Sequence, residues 1–253
     1  MSQPAATKTT GMEAAPEPQG SGRWHAVADA CFRYRAISVV PVVLLIYFIF
    51  HPIHAGRFHS VLNVLGFLIA LTGAAARINA VGHAKPFTSG RENFLRAESL
   101  NTSGLYSIVR NPLYVGNFLI YNGLLIAYSS PGALLFFNVF FVINYHFIIL
   151  SEERYLSGQF GQAYRDYLLR VPKVLPRFSL YRRNDHPFRL ARAVHKEKNT
   201  TFYWVFFYAV TLLVKQYKLN GGVIERFWWH AAPVLVLFTL NIILTMSRKP
   251  KPA

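Results

Sequence analysis

Long apolar runs constrain this chain more than any other feature of its sequence. Six segments consist mainly of hydrophobic residues, at 36–50, 61–79, 113–129, 132–150, 201–217 and 227–246. As helices, the third, fourth and sixth are long enough to cross a hydrocarbon core of about 30 Å, whereas the first and fifth are short or interrupted. Composition agrees, since 53% of the 253 residues are hydrophobic and only 15% are charged. We therefore predict an all-α fold, a polytopic transmembrane helical bundle with about six spans.

The positions of Lys and Arg predict how these spans are oriented. If all six segments cross the membrane, 23 of the 27 basic residues lie on one side, and only Arg57, Lys215, Lys218 and Arg226 lie on the other. Because Lys and Arg accumulate in cytoplasmic loops, both termini and the two long polar loops are predicted to be cytoplasmic. The net charge of +16 has the same origin, and no nucleic-acid-binding module accompanies it, so no nucleic acid is expected as a partner.

Three regions follow from composition. Residues 1–22 are rich in Ala, Pro, Thr, Gly and Gln and are expected to be a disordered tail. Residues 23–177 form a predicted membrane core, and residues 178–253 form a basic linker followed by two further apolar helices. The single cysteine, Cys31, excludes an intrachain disulfide and a Cys-rich zinc site, and no metal site is expected.

A polar stretch at residues 100–117 precedes the third apolar segment. Pro112 disfavours a helical Asn111 but suits the first turn of a helix, so we expect the third span to begin at Pro112. The N-terminus of a helix presents unpaired N–H groups, which favour an anionic ligand group such as a carboxylate. Arg110 and Asn111 would be further donors at this position.

Two adjacent carboxylates, Glu152 and Glu153, follow the fourth apolar segment. A carboxylate at the bilayer centre costs about 2.5–3.5 kcal/mol and costs less at its edge. The pair is therefore either a hydrated helix end or a site. In a site, one carboxylate would bind a ligand ammonium or ribose hydroxyls, and the other would pair with Arg110 or Arg154.

Beyond these carboxylates, apolar and aromatic residues recur every three to four positions. This spacing is typical of a helix that lies along the membrane surface, and we predict a cytoplasmic interfacial connector helix that acts as a lid. The recurring residues are Leu156, Phe160, Tyr164, Tyr167, Leu168 and Val171.

Together these stretches form a two-part motif. It reads Gly-x-Tyr-x-x-Val-Arg-Asn-Pro-x-Tyr-x-Gly, then a helical hairpin, then Glu-Glu-x-x-Leu-x-x-x-Phe-Gly-x-x-Tyr-x-x-Tyr and a closing Val-Pro. The motif resembles the isoprenylcysteine carboxyl methyltransferase family, and the phospholipid methyltransferases are similar. The resemblance covers about residues 61–177, which makes the predicted core a membrane methyltransferase core.

The resemblance implies an S-adenosylmethionine-dependent membrane methyltransferase whose lipid acceptor enters from the bilayer. The cofactor-binding residues that it implies are Tyr106, Arg110, Asn111, Pro112, Tyr114, Glu152, Glu153, Tyr164 and Tyr167. Two features depart from the family pattern. The family often has His where this chain has Asn111, so a hydrogen-bonding role survives but a His-specific proton role does not. Residues 178–253 also extend beyond the usual end of the family.

Methyl transfer from a sulfonium needs alignment and a dry path more than it needs a general base. An ionised carboxylate or phosphate on a prenyl or lipid substrate would need only a cation to position it. Arg154 and Arg165 are our candidate catalytic residues for that role, and O-methylation is the expected reaction.

Two other functions stay open at this stage. An NADPH-dependent membrane sterol or enone reductase shares a similar Arg-x-Pro-x-Tyr arrangement, but no second phosphate-binding cluster is evident here. A non-catalytic membrane scaffold is the other alternative. The expected partners are a lipid or prenylated substrate and the membrane lipids, and the sequence does not predict an oligomeric state.

Overall fold

The computed structural model describes residues 21–35, 37–85 and 99–223, together with a few single positions between 232 and 243. Within these ranges the chain is all-helical, as predicted, and the only β-type pairing is an isolated bridge between Gly104 and Arg182. The predicted sixth apolar segment lies almost entirely outside the described residues. The helices are α1 (Ser21–Arg33), α2 (Val39–Ile49), α3 (His59–His83), α4 (Leu105–Ile108), α5 (Pro112–Tyr128), α6 (Pro131–Arg170) and α7 (Leu190–Leu219), with short 3₁₀ turns at Gly56–Phe58 and Phe178–Leu180.

Two of the helical segments, Gly56–His83 and Pro131–Arg170, are long and apolar enough to cross a membrane, and the apolar α2 is shorter. Large apolar side chains on the outer faces of these helices are exposed, among them Phe48, Val64 and Val142. So many exposed apolar side chains are more stable in lipid than in water. The fold is that of a membrane protein, and the number of spans stays a prediction.

The closest helix packing in the bundle joins α3 to α5. Small residues face each other across this contact, where Gly66 lies against Gly123 and Gly73 lies against Gly116. A Cβ built on Gly123 would fall within 3.0 Å of the Gly66 carbonyl oxygen and of the backbone and side chain of Ala70. Small residues permit this close backbone approach, as they commonly do between membrane helices.

The described part of the C-terminal extension belongs to the same bundle, because α7 packs on both α3 and α5. Trp204 is buried between these helices. Lys215, which is 1% exposed, donates to Asn63 Oδ1 at 2.8 Å, to the Ala127 carbonyl at 2.7 Å and to Ser129 Oγ at 2.7 Å. A cation suits this position because the carbonyl groups at the C-terminus of α5 have no partner within their own helix.

The two ends of the bundle can be told apart by their contacts. At one end, which we call the site end, Arg110 N donates to the Pro172 carbonyl and Arg189 N donates to the Gly82 carbonyl. At the opposite end, Ile53 N donates to the Ser129 carbonyl near Lys215.

Sequence patterns located several helix boundaries correctly. The third apolar segment begins its helix at Pro112, as predicted, and Ser129 and Ser130 form the tight turn before α6. Ser129 adopts a left-handed conformation with φ 63° and ends α5. After Glu153 the helix runs on to Phe160 and breaks at Gly161, where φ is 54° and ψ is −126°, and a second helical stretch follows to Arg170. That this stretch lies along the membrane surface stays a prediction.

Substitution of Gly123 by Ala tests the α3–α5 contact. The added methyl group would overlap the backbone of α3, so we expect a loss of roughly 1–3 kcal/mol or more in stability. Thermal unfolding of the detergent-solubilised protein measures this loss. Gly158→Ala is the matched control, since its Cβ meets nothing within 4 Å in α6. Equal unfolding temperatures for the two variants would contradict the close contact.

Candidate functional site

The two halves of the motif meet at the site end of the bundle. The segment before α5 pairs with the segment after α6 through backbone hydrogen bonds, from Arg110 N to the Pro172 carbonyl and from Arg177 N to the Ile108 carbonyl, both at 2.9 Å. The Asn111 side chain adds a hydrogen bond from Nδ2 to the Lys173 carbonyl at 3.0 Å. The closing Val-Pro element therefore holds the Arg110–Asn111 corner at the start of α5.

The two carboxylates of α6 have different partners. Glu152 Oε2 accepts a hydrogen bond of 2.8 Å from the Tyr114 hydroxyl, and the positive charge of Arg35 also acts on Glu152. Glu153 lies 3.3 Å from Arg110 Nη2 and 3.6 Å from Lys173 Nζ. The expected pairing of a carboxylate with Arg110 is therefore present, and it uses Glu153.

Two atoms of this ion pair lack hydrogen bonds. Arg110 Nε and Glu153 Oε1 are buried and have no hydrogen-bond partner within the part of the chain that the structure describes. The 3.3 Å contact brings the opposite charges together but is not aligned as a hydrogen bond. A buried polar atom without a partner costs about 1–3 kcal/mol, more if charged. An unsatisfied donor and an unsatisfied acceptor thus lie side by side, an arrangement that suits a ligand with an anionic and a cationic group.

Aromatic residues cover the polar centre of the site. Tyr164 and Tyr167 are buried and pack with Val171, and their ring centroids are 5.9 Å apart. The Tyr167 hydroxyl donates to the Tyr106 carbonyl at 2.7 Å, which joins the last turns of α6 to the segment before α5. The change of direction at Gly161 allows the end of α6 to lie over this segment.

The two candidate catalytic arginines have other partners. Arg154 forms an ion pair with Asp29 of α1, and Ser151 Oγ donates to the same carboxylate at 2.6 Å. Burial raises the pKa of Asp29, but the hydrogen bonds from Ser151 and Arg154 and nearby positive charge lower it more, so that the pKa lies below its ordinary value. Arg165 is exposed and its Nε donates to Gln162 Oε1 at 3.2 Å.

A buried polar network behind Tyr114 was not among the predicted site residues. Arg77 of α3 makes two contacts with Glu197 of α7, at 3.1 and 3.2 Å, and donates to Asn117 Oδ1 at 2.8 Å. Asn117 Nδ2 in turn donates to the Tyr145 hydroxyl at 2.8 Å, and the Tyr145 ring contacts the Tyr114 ring. The sequence did contain an indication of this network, because Arg77 interrupts an apolar segment. An ionisable residue inside a membrane span commonly marks a functional site.

Among the described residues, no three or more His, Cys, Asp or Glu side chains are grouped so as to hold a metal ion.

Comparison with known proteins agrees with the motif. Residues 61–163 match the phospholipid methyltransferase family. The predicted resemblance to membrane methyltransferases is thereby confirmed over this range. The match includes Arg110, Tyr114, Glu152 and Glu153 and ends just before Tyr164, so it contains the polar centre of the site but not α7.

Three relatives match part of the chain. Methanethiol S-methyltransferase 2 of Bradyrhizobium diazoefficiens is 32% identical over 126 residues, 48% of this chain and 46% of that protein. The cobalt-zinc-cadmium resistance protein CzcN of Cupriavidus metallidurans is 38% identical over 96 residues, 38% of this chain and 42% of that protein. Protein-S-isoprenylcysteine O-methyltransferase of Schizosaccharomyces pombe is 34% identical over 77 residues, 30% of this chain and 33% of that protein.

The chain spans about half the length of the first of these relatives, and less of the others. No solved structure matches it. The matched family and two of the relatives are named as methyltransferases.

Substitution of Gly161 by Ala tests the change of direction in α6. The backbone conformation at Gly161 is one that residues with a Cβ adopt at a cost of about 1–3 kcal/mol. We expect a lower unfolding temperature and weaker packing of Tyr167 over the site, measured by thermal unfolding and by protection of the 164–171 amides from hydrogen exchange. Gly158→Ala, three residues earlier on the same helix, should leave both unchanged. Unaltered amide protection in the Gly161 variant would contradict this role.

Proposed function

We propose that this protein is a membrane methyltransferase that uses S-adenosylmethionine and methylates an acceptor embedded in the lipid bilayer. The observation that carries the proposal is the pair of buried, unsatisfied atoms, Arg110 Nε and Glu153 Oε1. Their chemistry fits the amino-acid part of S-adenosylmethionine, which has one carboxylate and one ammonium group. Arg110 would bind the carboxylate and Glu153 would bind the ammonium.

The remaining site residues would orient and shield the cofactor. Glu152 is held by Tyr114, and its other carboxylate oxygen can accept a hydrogen bond from a ribose hydroxyl. Asn111 and Pro112 fix the start of α5 next to Arg110. Tyr106, Tyr164 and Tyr167 would close over the site and exclude water. When bound, S-adenosylmethionine supplies a methyl group that the sulfonium charge has already activated.

The proposed methyl acceptor is an oxygen nucleophile. An O-methyl acceptor, a carboxylate or phosphate on a prenyl or lipid substrate, is ionised at neutral pH and needs only positioning. Arg154 and Arg165 are the proposed positioning cations, and Arg154 would have to exchange Asp29 for the substrate. The relative named for methanethiol favours a second candidate acceptor, a small apolar thiol that reacts as its thiolate.

The proposal also includes a membrane orientation. The site end would face the cytoplasm, where a soluble cofactor is available, with about six spans and both termini on that side. The end of α6 would lie at the membrane surface as the connector over the site. Residues 23–177 would be the methyltransferase core. Fluorescent and alkaline-phosphatase fusions at the C-terminus test the orientation, and an active phosphatase would contradict it.

Binding calorimetry on the purified protein tests the cofactor proposal. We expect S-adenosylhomocysteine to bind, and Glu153→Gln and Arg110→Gln each to weaken binding by about tenfold or more, because each removes a charge-assisted hydrogen bond. 5′-Methylthioadenosine lacks the amino-acid part of the ligand. It should bind the wild type more weakly, and both substitutions should leave its affinity nearly unchanged.

Two controls make this result interpretable. Arg57→Gln removes a cation at the opposite end of the bundle and should bind both ligands like the wild type. NADPH is the control ligand for the reductase alternative. If NADPH binds to the folded protein and S-adenosylhomocysteine does not, the methyltransferase proposal is wrong.

Incubation with radiolabelled S-adenosylmethionine distinguishes the acceptors. We expect label in base-labile esters of prenylated or lipid carboxylates, or in phosphate esters, when membrane extracts are supplied. Volatile labelled thioether from an added alkanethiol would instead identify the thiol as the acceptor. Absence of labelled product from both classes would contradict both acceptors.

A further inference from the structure

We infer that Glu197 of α7 is a positioning residue for the cofactor site and acts on it through Arg77. The C-terminal extension is thereby part of the methyltransferase unit. This inference rests on the proposed function, and it adds a residue that lies outside the family match of residues 61–163.

Glu197 and Arg77 form the most buried ion pair that the structure describes, with side chains 3% and 8% exposed. The pairing is bidentate, with Arg77 Nε 3.1 Å from Oε2 and Nη2 3.2 Å from Oε1. A pair of this kind costs desolvation and adds little net stability, but one member left alone is strongly destabilising. Glu197 is therefore what allows a guanidinium to remain inside the bundle.

Arg77 uses its remaining donor group to fix the first turns of α5. Its Nη1 donates to the Leu113 carbonyl at 3.1 Å and to Asn117 Oδ1 at 2.8 Å. The Arg77 side chain also packs against Gly116, where a Cβ would fall within 3.0 Å of Cγ. The turn that carries Tyr114 is thus held on both sides by one arginine.

The network continues from α5 to the carboxylates of α6. Asn117 Nδ2 donates to the Tyr145 hydroxyl at 2.8 Å. The Tyr145 ring meets the Tyr114 ring edge-on with centroids 5.1 Å apart, and the Tyr114 hydroxyl donates to Glu152. Each step fixes the next side chain, so the position of Glu152 depends on the pairing of Glu197.

Within the described part of residues 61–163, no acidic side chain pairs with Arg77. Arg77, Asn117, Tyr145 and Glu152 all lie between residues 61 and 163, whereas Glu197 comes from α7. If the pairing of Glu197 with Arg77 is lost, we therefore expect the site to keep all its cofactor-contacting residues but to bind the cofactor more weakly.

Three variants of the full chain separate this role from general stability. Glu197→Gln removes the charge that balances Arg77. Asn117→Leu breaks the connection to Tyr145 without leaving a buried ion unpaired. Lys215→Met is the matched control, because it removes a cation of α7 that is as buried as Glu197, together with its three hydrogen bonds. Lys215 lies about 27 Å from Glu197 along the helix. Unfolding temperature and the Kd for S-adenosylhomocysteine are measured for each.

We expect Glu197→Gln and Asn117→Leu to raise this Kd by about tenfold. Glu197→Asp, which restores the charge, should recover part of the affinity. Lys215→Met should lower the unfolding temperature but change the Kd by less than about twofold. If the Glu197→Gln variant does not fold, the Kd of the Asn117→Leu variant tests the inference.

The possible failures are distinguishable. A wild-type protein that does not bind S-adenosylhomocysteine overturns the proposed function and this inference with it. A wild type that binds, with an unchanged Kd in the Glu197 and Asn117 variants, overturns the inference alone. An equal rise in Kd for Lys215→Met also overturns it, since the effect would then follow from loosening α7.

Discussion

Charged side chains inside this bundle are stable only where partners surround them, because an unpaired ion in an apolar interior costs several kcal/mol. Lys215 meets three oxygen acceptors, and Arg77 meets a carboxylate, a carbonyl and an amide. Both charges join helices to one another. The pair of Arg110 and Glu153 is different, because its side chains are only partly buried. One buried donor atom and one buried acceptor atom of the pair have no hydrogen-bond partner among the described residues. Lys215 and Arg77 therefore stabilise the fold, whereas Arg110 and Glu153 are available to bind a ligand.

The site therefore depends on two layers of structure. Close packing of α3 on α5, made possible by facing glycines, brings Arg77 against the first turns of α5. Those turns carry Tyr114 toward the carboxylates of α6, and the segment after α6 holds Arg110 beside Glu153. Residues from α7 complete the first layer, which explains how an extension outside the family-like region bears on the site.

Part of the fold and of the candidate site could be predicted from the chemistry of short sequence stretches. The proline rule located the start of α5 at Pro112, and two adjacent carboxylates after an apolar run indicated a partner such as Arg110. The pairing of Glu197 with Arg77 was not predictable in this way, because 120 residues separate them and the sequence places Glu197 in the basic linker, before the fifth apolar segment. Helical periodicity also could not reveal that α6 breaks at Gly161, since the backbone angles of a single residue decide it.

An experimental structure with S-adenosylhomocysteine bound in lipid nanodiscs is the decisive test of how Arg110 and Glu153 bind the cofactor. We expect the ligand carboxylate to lie within hydrogen-bond distance of Arg110 Nε and the ligand ammonium to contact Glu153 Oε1. Glu152 would then face the ribose, with Tyr114 still bonded to it. A ligand bound elsewhere, with Arg110 Nε and Glu153 Oε1 satisfied by each other or by water, would contradict it.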